Sequence, residues 1–233
     1  MNRQNALLVP GLLCDANLWR HQQKHLAEIA EITIADVTQH DTMSRIAEAL
    51  LSAAPERFAL AGLSMGGYVA FEIMRQAPAR VTKLALLDTS PRPDTQEKTQ
   101  SRMELIDLTL KKRFKEVLPR LLPQLIHPAR RKDRELTSAI AAMADHVGQD
   151  AFLRQETAIM NRPDSRKDLS HIRCPTLILC GRQDTLTPLE LHEEMASSIP
   201  KARLAIIEDC GHLSTMEQPQ AVTALLRDWL LYS

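Results

Sequence analysis

One serine in the chain sits where it could act as a nucleophile. Gly62-Leu63-Ser64-Met65-Gly66 follows an apolar strand-like run and opens a helical pattern. A sharp strand-to-helix turn holds a serine in a strained conformation, and only very small residues fit two positions before and after it. Chance would place such a pentapeptide about 0.01 times in a chain of this composition, so the signal is specific. The helix N-terminus below the serine presents free N–H groups to a developing negative charge. A serine nucleophile needs a base. Of eight histidines, His212 stands out in Asp209-Cys210-Gly211-His212, just past the last predicted strand. The base in turn needs an acid to fix its tautomer. Asp184, in Cys180-Gly181-Arg182-Gln183-Asp184, is the first candidate; Asp88, at the end of another strand, and Asp209 are its rivals. An oxyanion needs two backbone N–H donors. Met65 supplies one, and Leu12, in Pro10-Gly11-Leu12-Leu13, the other, with Gly11 letting that backbone turn in towards Ser64.

These groups need a scaffold that brings four distant segments together. Short apolar runs at 6–9, 32–35, 58–62, 83–88, 176–180 and 203–207 read as strands. Helical patterns at 16–29, 42–54, 65–76, 189–198 and 219–231 alternate with them, with Asp15 and Thr42 or Ser44 as N-caps. Such alternation implies an α/β fold with about six mostly parallel strands flanked by helices. The alternation stops between 92 and 168. That stretch reads as about four helices, near 95–112, 114–126, 132–147 and 150–161, punctuated by prolines. It is expected to be an all-helical cap inserted into a core made of residues 1–91 and 169–233. In an open parallel sheet, reacting groups collect at the carboxyl ends of the strands, where Ser64, Asp184 and His212 all fall.

Composition narrows the function classes. The chain has 233 residues, 29 Lys+Arg against 29 Asp+Glu, and 3% aromatic residues. A neutral chain with few aromatics is a poor match to nucleic acid or to an anionic membrane. No apolar run approaches the roughly 18–20 residues of a spanning helix. Arg3 followed by the apolar stretch 6–13 has a faint signal-peptide look, but Pro10-Gly11 interrupts it and no cleavage site follows. Cys14, Cys174, Cys180 and Cys210 match no zinc spacing, and a mid-sized chain with few scattered cysteines reads as a reduced, cytoplasmic protein. Neither a cofactor nor a metal is expected. The neutral total hides an asymmetry, because residues 111–134 hold nine basic side chains and two acidic ones, Glu116 and Asp133. Most of these should be solvated helix faces. Arg120 or Arg130 is the sharper candidate to reach the pocket and pair with a substrate carboxylate.

Taken together, Pro10-Gly11-Leu12-Leu13 with Trp19, Gly62-Leu63-Ser64-Met65-Gly66-Gly67, Gly181-Arg182-Gln183-Asp184, and Gly211-His212 followed by Glu217-x-Pro219 resemble the α/β-hydrolase superfamily. The likeness is to its small esterase, lactonase and C–C-hydrolase branch, and covers nearly the whole chain. It implies the α/β-hydrolase fold, a Ser64–His212–Asp184 triad and an acyl-enzyme. It also implies a cap that roofs the site, with Leu13 and Leu213 lining the pocket. The substrate implied is a small carboxylic ester or lactone, acted on by a monomer or homodimer. The same elbow also serves triad-dependent lyases, including a menaquinone-pathway synthase, and perhydrolases or haloperoxidases. A slow ligand receptor on this fold is a further alternative. Two departures from the family pattern stand out: Pro10 where many members have histidine, and the apparent lack of two antiparallel strands before the first. The second predicts an exposed sheet edge at residues 32–35.

Overall fold

Six strands form one sheet in the computed structural model, which describes residues 3–232. They are β1 (Gln4–Val9), β2 (Ala30–Ile34), β3 (Phe58–Leu63), β4 (Val81–Leu87), β5 (Thr176–Gly181) and β6 (Ala202–Ile207). Their order is β2-β1-β3-β4-β5-β6, and every neighbouring pair is parallel. The interior strands β3 and β5 lack polar alternation because both faces are covered. All six residues of β3 (Phe-Ala-Leu-Ala-Gly-Leu) and all six of β5 are buried. The edge strand β2 alternates instead, with Glu31 and Thr33 exposed, which matches the expected open edge.

Two helical layers close the sheet. On one face α2 (Met43–Ala53), α3 (Met65–Gln76) and α7 (Leu189–Ser198) bury Ile46, Val69, Ile73 and Met195 against Leu60, Leu84 and Ile178. On the other, α1 (Arg20–Leu26) and α9 (Pro219–Tyr232), the latter preceded by the short α8 (Ser214–Glu217), bury Leu26, Leu226 and Trp229 against Ala59, Ala85 and Leu177. The single helix expected over 16–29 is shorter and divided. A 3₁₀ turn at Ala16–Trp19, capped by Asp15 through the Asn17 N–H, leads into α1. The chain leaves the helix after Leu26, and β2 opens at Ala30, which is drawn into the core.

The stretch between β4 and β5 holds α4 (Gln96–Leu110), α5 (Val117–Leu125) and α6 (Arg134–Met160), and no strand among the described residues. α6 is two helical pieces joined at Gly148, whose φ of 76° and ψ of 172° suit only glycine. That break is the gap expected between 147 and 150. These helices have a small core of their own: Leu105, Leu108, Val117, Ala144 and Phe152 pack on Leu13 of the β1 loop. A buried ion cluster adds to it. Asp94 accepts from Arg102 at 2.6 Å and from Arg162 at 2.8 Å, Arg102 also binds Glu156 at 2.7 Å, and the Arg162 guanidinium lies 4.2 Å from the Tyr68 ring centroid. This ties α4 and α6 to α3. No helix among the described residues is long and apolar enough to cross a membrane. Residues 1 and 2 of the signal-like N-terminus lie outside the described residues.

Candidate active site

The strand order makes the site. β1 leads to β2 on one side, and β3 returns on the other, so the loops after β1 and β3 diverge from neighbouring strand ends. Ser64 closes β3 with φ 55° and ψ −114°, a left-handed conformation that costs a non-glycine residue about 1–3 kcal/mol. The surroundings force it there. Ser64 N–H donates to Leu87 O at 3.0 Å, while Ser64 O accepts from Gly67 N–H at 2.9 Å and from Thr89 Oγ1 at 2.8 Å. Gly66 is required by contact, because a Cβ there would lie 2.1 Å from Val9 O.

His212 comes from the loop after β6. Its Nε2 lies 2.8 Å from Ser64 Oγ, and its Nδ1 lies 2.7 Å from Asp184 Oδ2. Both His212 and Asp184 are buried. The carboxylate sets the tautomer: Nδ1–H donates to Asp184, and Nε2 is left to accept the serine proton. Asp184 is itself held by Leu186 N–H (2.8 Å), Thr187 N–H (3.0 Å) and Thr187 Oγ1–H (2.6 Å). Burial alone would raise the Asp184 pKa, but the His212 charge and these hydrogen bonds hold it below the usual carboxylate value. For His212, burial opposes charging, yet the Asp184 carboxylate outweighs it and lifts the imidazole above its ordinary pKa.

The rival acids have other positions. Asp88 ends β4 at φ 44°, fully buried, and accepts from Gly181 N–H at 2.9 Å and from Ser214 Oγ–H. It makes no hydrogen bond to His212. Burial, together with the Asp184 charge, pushes its carboxyl well above the usual range. Asp209 is exposed.

The loop after β1 is less simple than expected. Gly11 does not use a left-handed turn; a Cβ there would make a close 3.4 Å contact with Ser64 Cβ. The unusual residue is Leu13, with φ 57°. The amides around Leu12 are committed: Leu13 N–H to Gln155 Oε1 at 3.1 Å and Cys14 N–H to Gly11 O at 3.2 Å. Met65 is the first residue of α3, whose N–H has no partner within the helix.

A cavity of about 390 Å³ opens beside these groups. Ser64, His212, Leu12, Leu13, Leu213 and Arg120 all line it, as do Leu105, Leu118, Leu121 and Ile140 from the helices above. Arg130 does not. Its guanidinium is taken by Glu217 O and by Asp133 at 2.6 Å, so it is a structural tie. Much of the remaining basic stretch is likewise paired at the surface, Lys111 with Asp107 and Arg113 with Glu116.

Over residues 6–225 the sequence matches the profile of the Alpha/beta hydrolase family. The chain belongs to the α/β hydrolase family. It is 25% identical to the pimeloyl-[acyl-carrier protein] methyl ester esterase of Nitrosomonas europaea, over 94% of this chain and 92% of that protein. It is 28% identical to a putative carbamate hydrolase RutD of Escherichia coli, over 78% of this chain and 69% of that protein. Among solved structures, a thermophilic esterase from Thermogutta terrifontis is 30% identical, with a TM-score of 0.89 over 97% of this chain and 89% of that one. The enol-lactonase of Burkholderia xenovorans LB400 shares the fold at 21% identity, with a TM-score of 0.90 over 99% of this chain and 92% of that one.

Within this α/β hydrolase, several residues take supporting roles that the sequence did not assign, although Glu217 stood among the family-like motifs. Glu217 is buried and accepts from Gly211 N–H at 3.0 Å and His127 N–H at 2.6 Å, joining the histidine loop to the segment after α5. His212 N–H and Leu213 N–H both donate to Leu125 O at the end of α5. His192 on α7 is buried and accepts from Thr89 N–H at 3.1 Å; burial drops its pKa to about 4, so it stays neutral. Thr187 had a local signal as well, because an Asp that bonds amides two and three residues ahead is an Asx-turn pattern. Burial pushes the Cys14 thiol up to about 12, and also raises Cys180 and Cys210, so none is a reactive thiolate.

Proposed function

We propose that the protein hydrolyses a small carboxylic ester or lactone through a Ser64–His212–Asp184 triad. The observation that carries the reading is the unbroken hydrogen-bond line from Ser64 Oγ through the buried His212 ring to Asp184. In this mechanism Ser64 Oγ attacks the substrate carbonyl while its proton passes to His212 Nε2. Asp184 stabilises the resulting imidazolium. The N–H groups of Leu12 and Met65 receive the oxyanion, each worth about 3 kcal/mol of barrier. His212 then protonates the leaving oxygen, and the bond from the carbonyl carbon to it breaks, leaving Ser64 acylated. Water, deprotonated by His212, releases the acid.

Residues 92–168 serve as the roof that selects the substrate, because α4, α5 and α6 line the cavity with leucine and isoleucine. The names of the curated relatives and of the Thermogutta terrifontis esterase favour ester or carbamate bonds over other chemistry for this family member. The test is turnover of short-chain chromogenic esters and lactones by wild type and by Ser64→Ala. We expect measurable turnover that the substitution removes. Retention of wild-type rates by Ser64→Ala would refute the reading.

A further inference from the structure

Most of the charged side chains on the cavity wall come from α4, with Asp94 and Arg120 besides, and Tyr68, Gln124, Thr185 and Thr187 add polar lining. Lys98, Ser101, Arg102 and Leu105 follow an i, i+3, i+4, i+7 spacing, so they share a helix face, and all four line the cavity. The charges on this stripe are not equivalent. Arg102 is neutralised by Asp94 and Glu156, and Asp94 is shared with Arg162. Glu97, also on the wall, folds back onto Thr95 and the first turn of α4. Glu104 is exposed at the rim. Lys98 differs: its ammonium donates to the Leu186 carbonyl at 3.0 Å, and among the described residues no carboxylate pairs with it. Leu186 belongs to the turn that holds Asp184, which brings this cation close to the catalytic groups. An ammonium on the cavity wall, exposed and with one carbonyl partner, has two donors left, and a carboxylate satisfies both charge and hydrogen bonding. Arg120, also exposed on the same cavity, adds a second positive charge.

We propose that Lys98 is the anion subsite of this cavity, and that the substrate is a short ester or lactone carrying its own carboxylate beyond an apolar stretch. This rests on the ester-hydrolase reading above. The test pairs monomethyl esters of C4–C7 dicarboxylic acids with methyl esters of neutral acids of matched length, assayed at low salt. Wild type should prefer the anionic member about 10-fold or more in kcat/KM. Lys98→Met and Lys98→Gln should bring the ratio towards one, and Lys98→Arg should restore it. Glutamine keeps a hydrogen-bonding amide without the charge, so a common loss in both variants points to the charge. Calorimetric titration with glutarate is read in parallel and needs no turnover. Saturable binding weakened about 10-fold in Lys98→Gln supports the subsite even if no ester is hydrolysed, an outcome that would overturn only the catalytic reading. Equal kcat/KM for both series, or a ratio and glutarate affinity unchanged in Lys98→Gln, overturns the proposal.

A second inference rests on different residues. Gln155 on α6 is fully buried; its Oε1 accepts from Leu13 N–H at 3.1 Å and its Nε2 donates to Val37 O at 3.4 Å. It therefore holds the left-handed Leu13 and aims the preceding Leu12 amide. We infer that Gln155 is a positioning residue for the oxyanion donor. Gln155→Met removes the acceptor at nearly constant volume. It should lower kcat about 10–100-fold with a smaller change in KM, and weaken a boronic-acid transition-state mimic in proportion. Gln155→Glu keeps an acceptor for Leu13 N–H and should retain more of kcat. A Gln155→Met variant with a lower Tm but kcat within about twofold of wild type would make the role merely structural.

Discussion

The loops at the carboxyl ends of the strands and the helices above them are built by opposite rules. At the strand ends, backbone meets backbone. Val9 O blocks any side chain at Gly66, and Ser64 is held left-handed by three hydrogen bonds to its own main chain. In the roof, side chains meet side chains: Arg102, Arg162, Asp94 and Glu156 hold α4 to α6, and Gly148 has open space around it. A geometry fixed by backbone admits few substitutions, whereas one fixed by side chains can be retuned residue by residue. On the proposed reading, the chemistry sits in the first region and the selectivity in the second.

The largest expected effect breaks the tight region. Gly66→Ala sets a methyl 2.1 Å from Val9 O and should abolish soluble folded protein, read by expression and circular dichroism. A folded, active Gly66→Ala enzyme would deny that the elbow is fixed by contact. Next, Asp184→Asn leaves the shape but loses the tautomer control, and kcat should fall about 10³–10⁴-fold. The pH profile sharpens this. The base must be neutral, and His212 is raised above its ordinary pKa of 6.5, so the acid limb of kcat/KM should lie above 6.5 in wild type. Removing the Asp184 charge should move that limb to lower pH. Asp88→Asn changes a carboxyl that makes no hydrogen bond to His212 and should cost far less kcat; equal losses in the two variants would return Asp88 to the triad.

Stability offers a third contrast. His192 is neutral in the fold with its pKa lowered to about 4, against an ordinary 6.5. Its unfolded form binds the proton first as pH falls. It therefore contributes stability that is fully present above pH 6.5 and is lost as pH falls through about 4, amounting to about 3 kcal/mol. Tm measured from pH 7 to 4 should drop less steeply in His192→Gln than in wild type, and identical slopes would reject the assignment. Smallest is Gly148→Ala in the roof. Space is free there, so only the backbone conformation is penalised, by about 1–2 kcal/mol. Chemical denaturation should register that loss while Ser64 still reacts with a fluorophosphonate.

This division also explains what the sequence made legible. The strand-end region was readable because its constraints are local: Gly62 and Gly66 around Ser64, Gly211 before His212, and buried strands without alternation. Asp184 was already the first candidate in sequence, but what sets Asp88 aside is tertiary: across four strands the His212 ring meets Asp184, while Asp88 bonds Gly181 and Ser214. Arg130 looked like a free cation, but its partners, Glu217 O and Asp133, are chosen by how the segment after α5 docks on the histidine loop. The same holds for Gln155 and Lys98. A helical glutamine or lysine carries no pattern, and its partner lies far away in sequence. The early end of α1 is a tertiary effect too, because Ala30 is claimed by the sheet core.

The most direct measurement is the mass of the intact protein during turnover of an activated ester, followed by peptide mapping. The account predicts one acyl group per chain, carried by Ser64, that forms in a burst, decays with the steady-state rate, and is absent from Ser64→Ala. Turnover with no acyl adduct on Ser64, or an adduct carried by another residue, would contradict it.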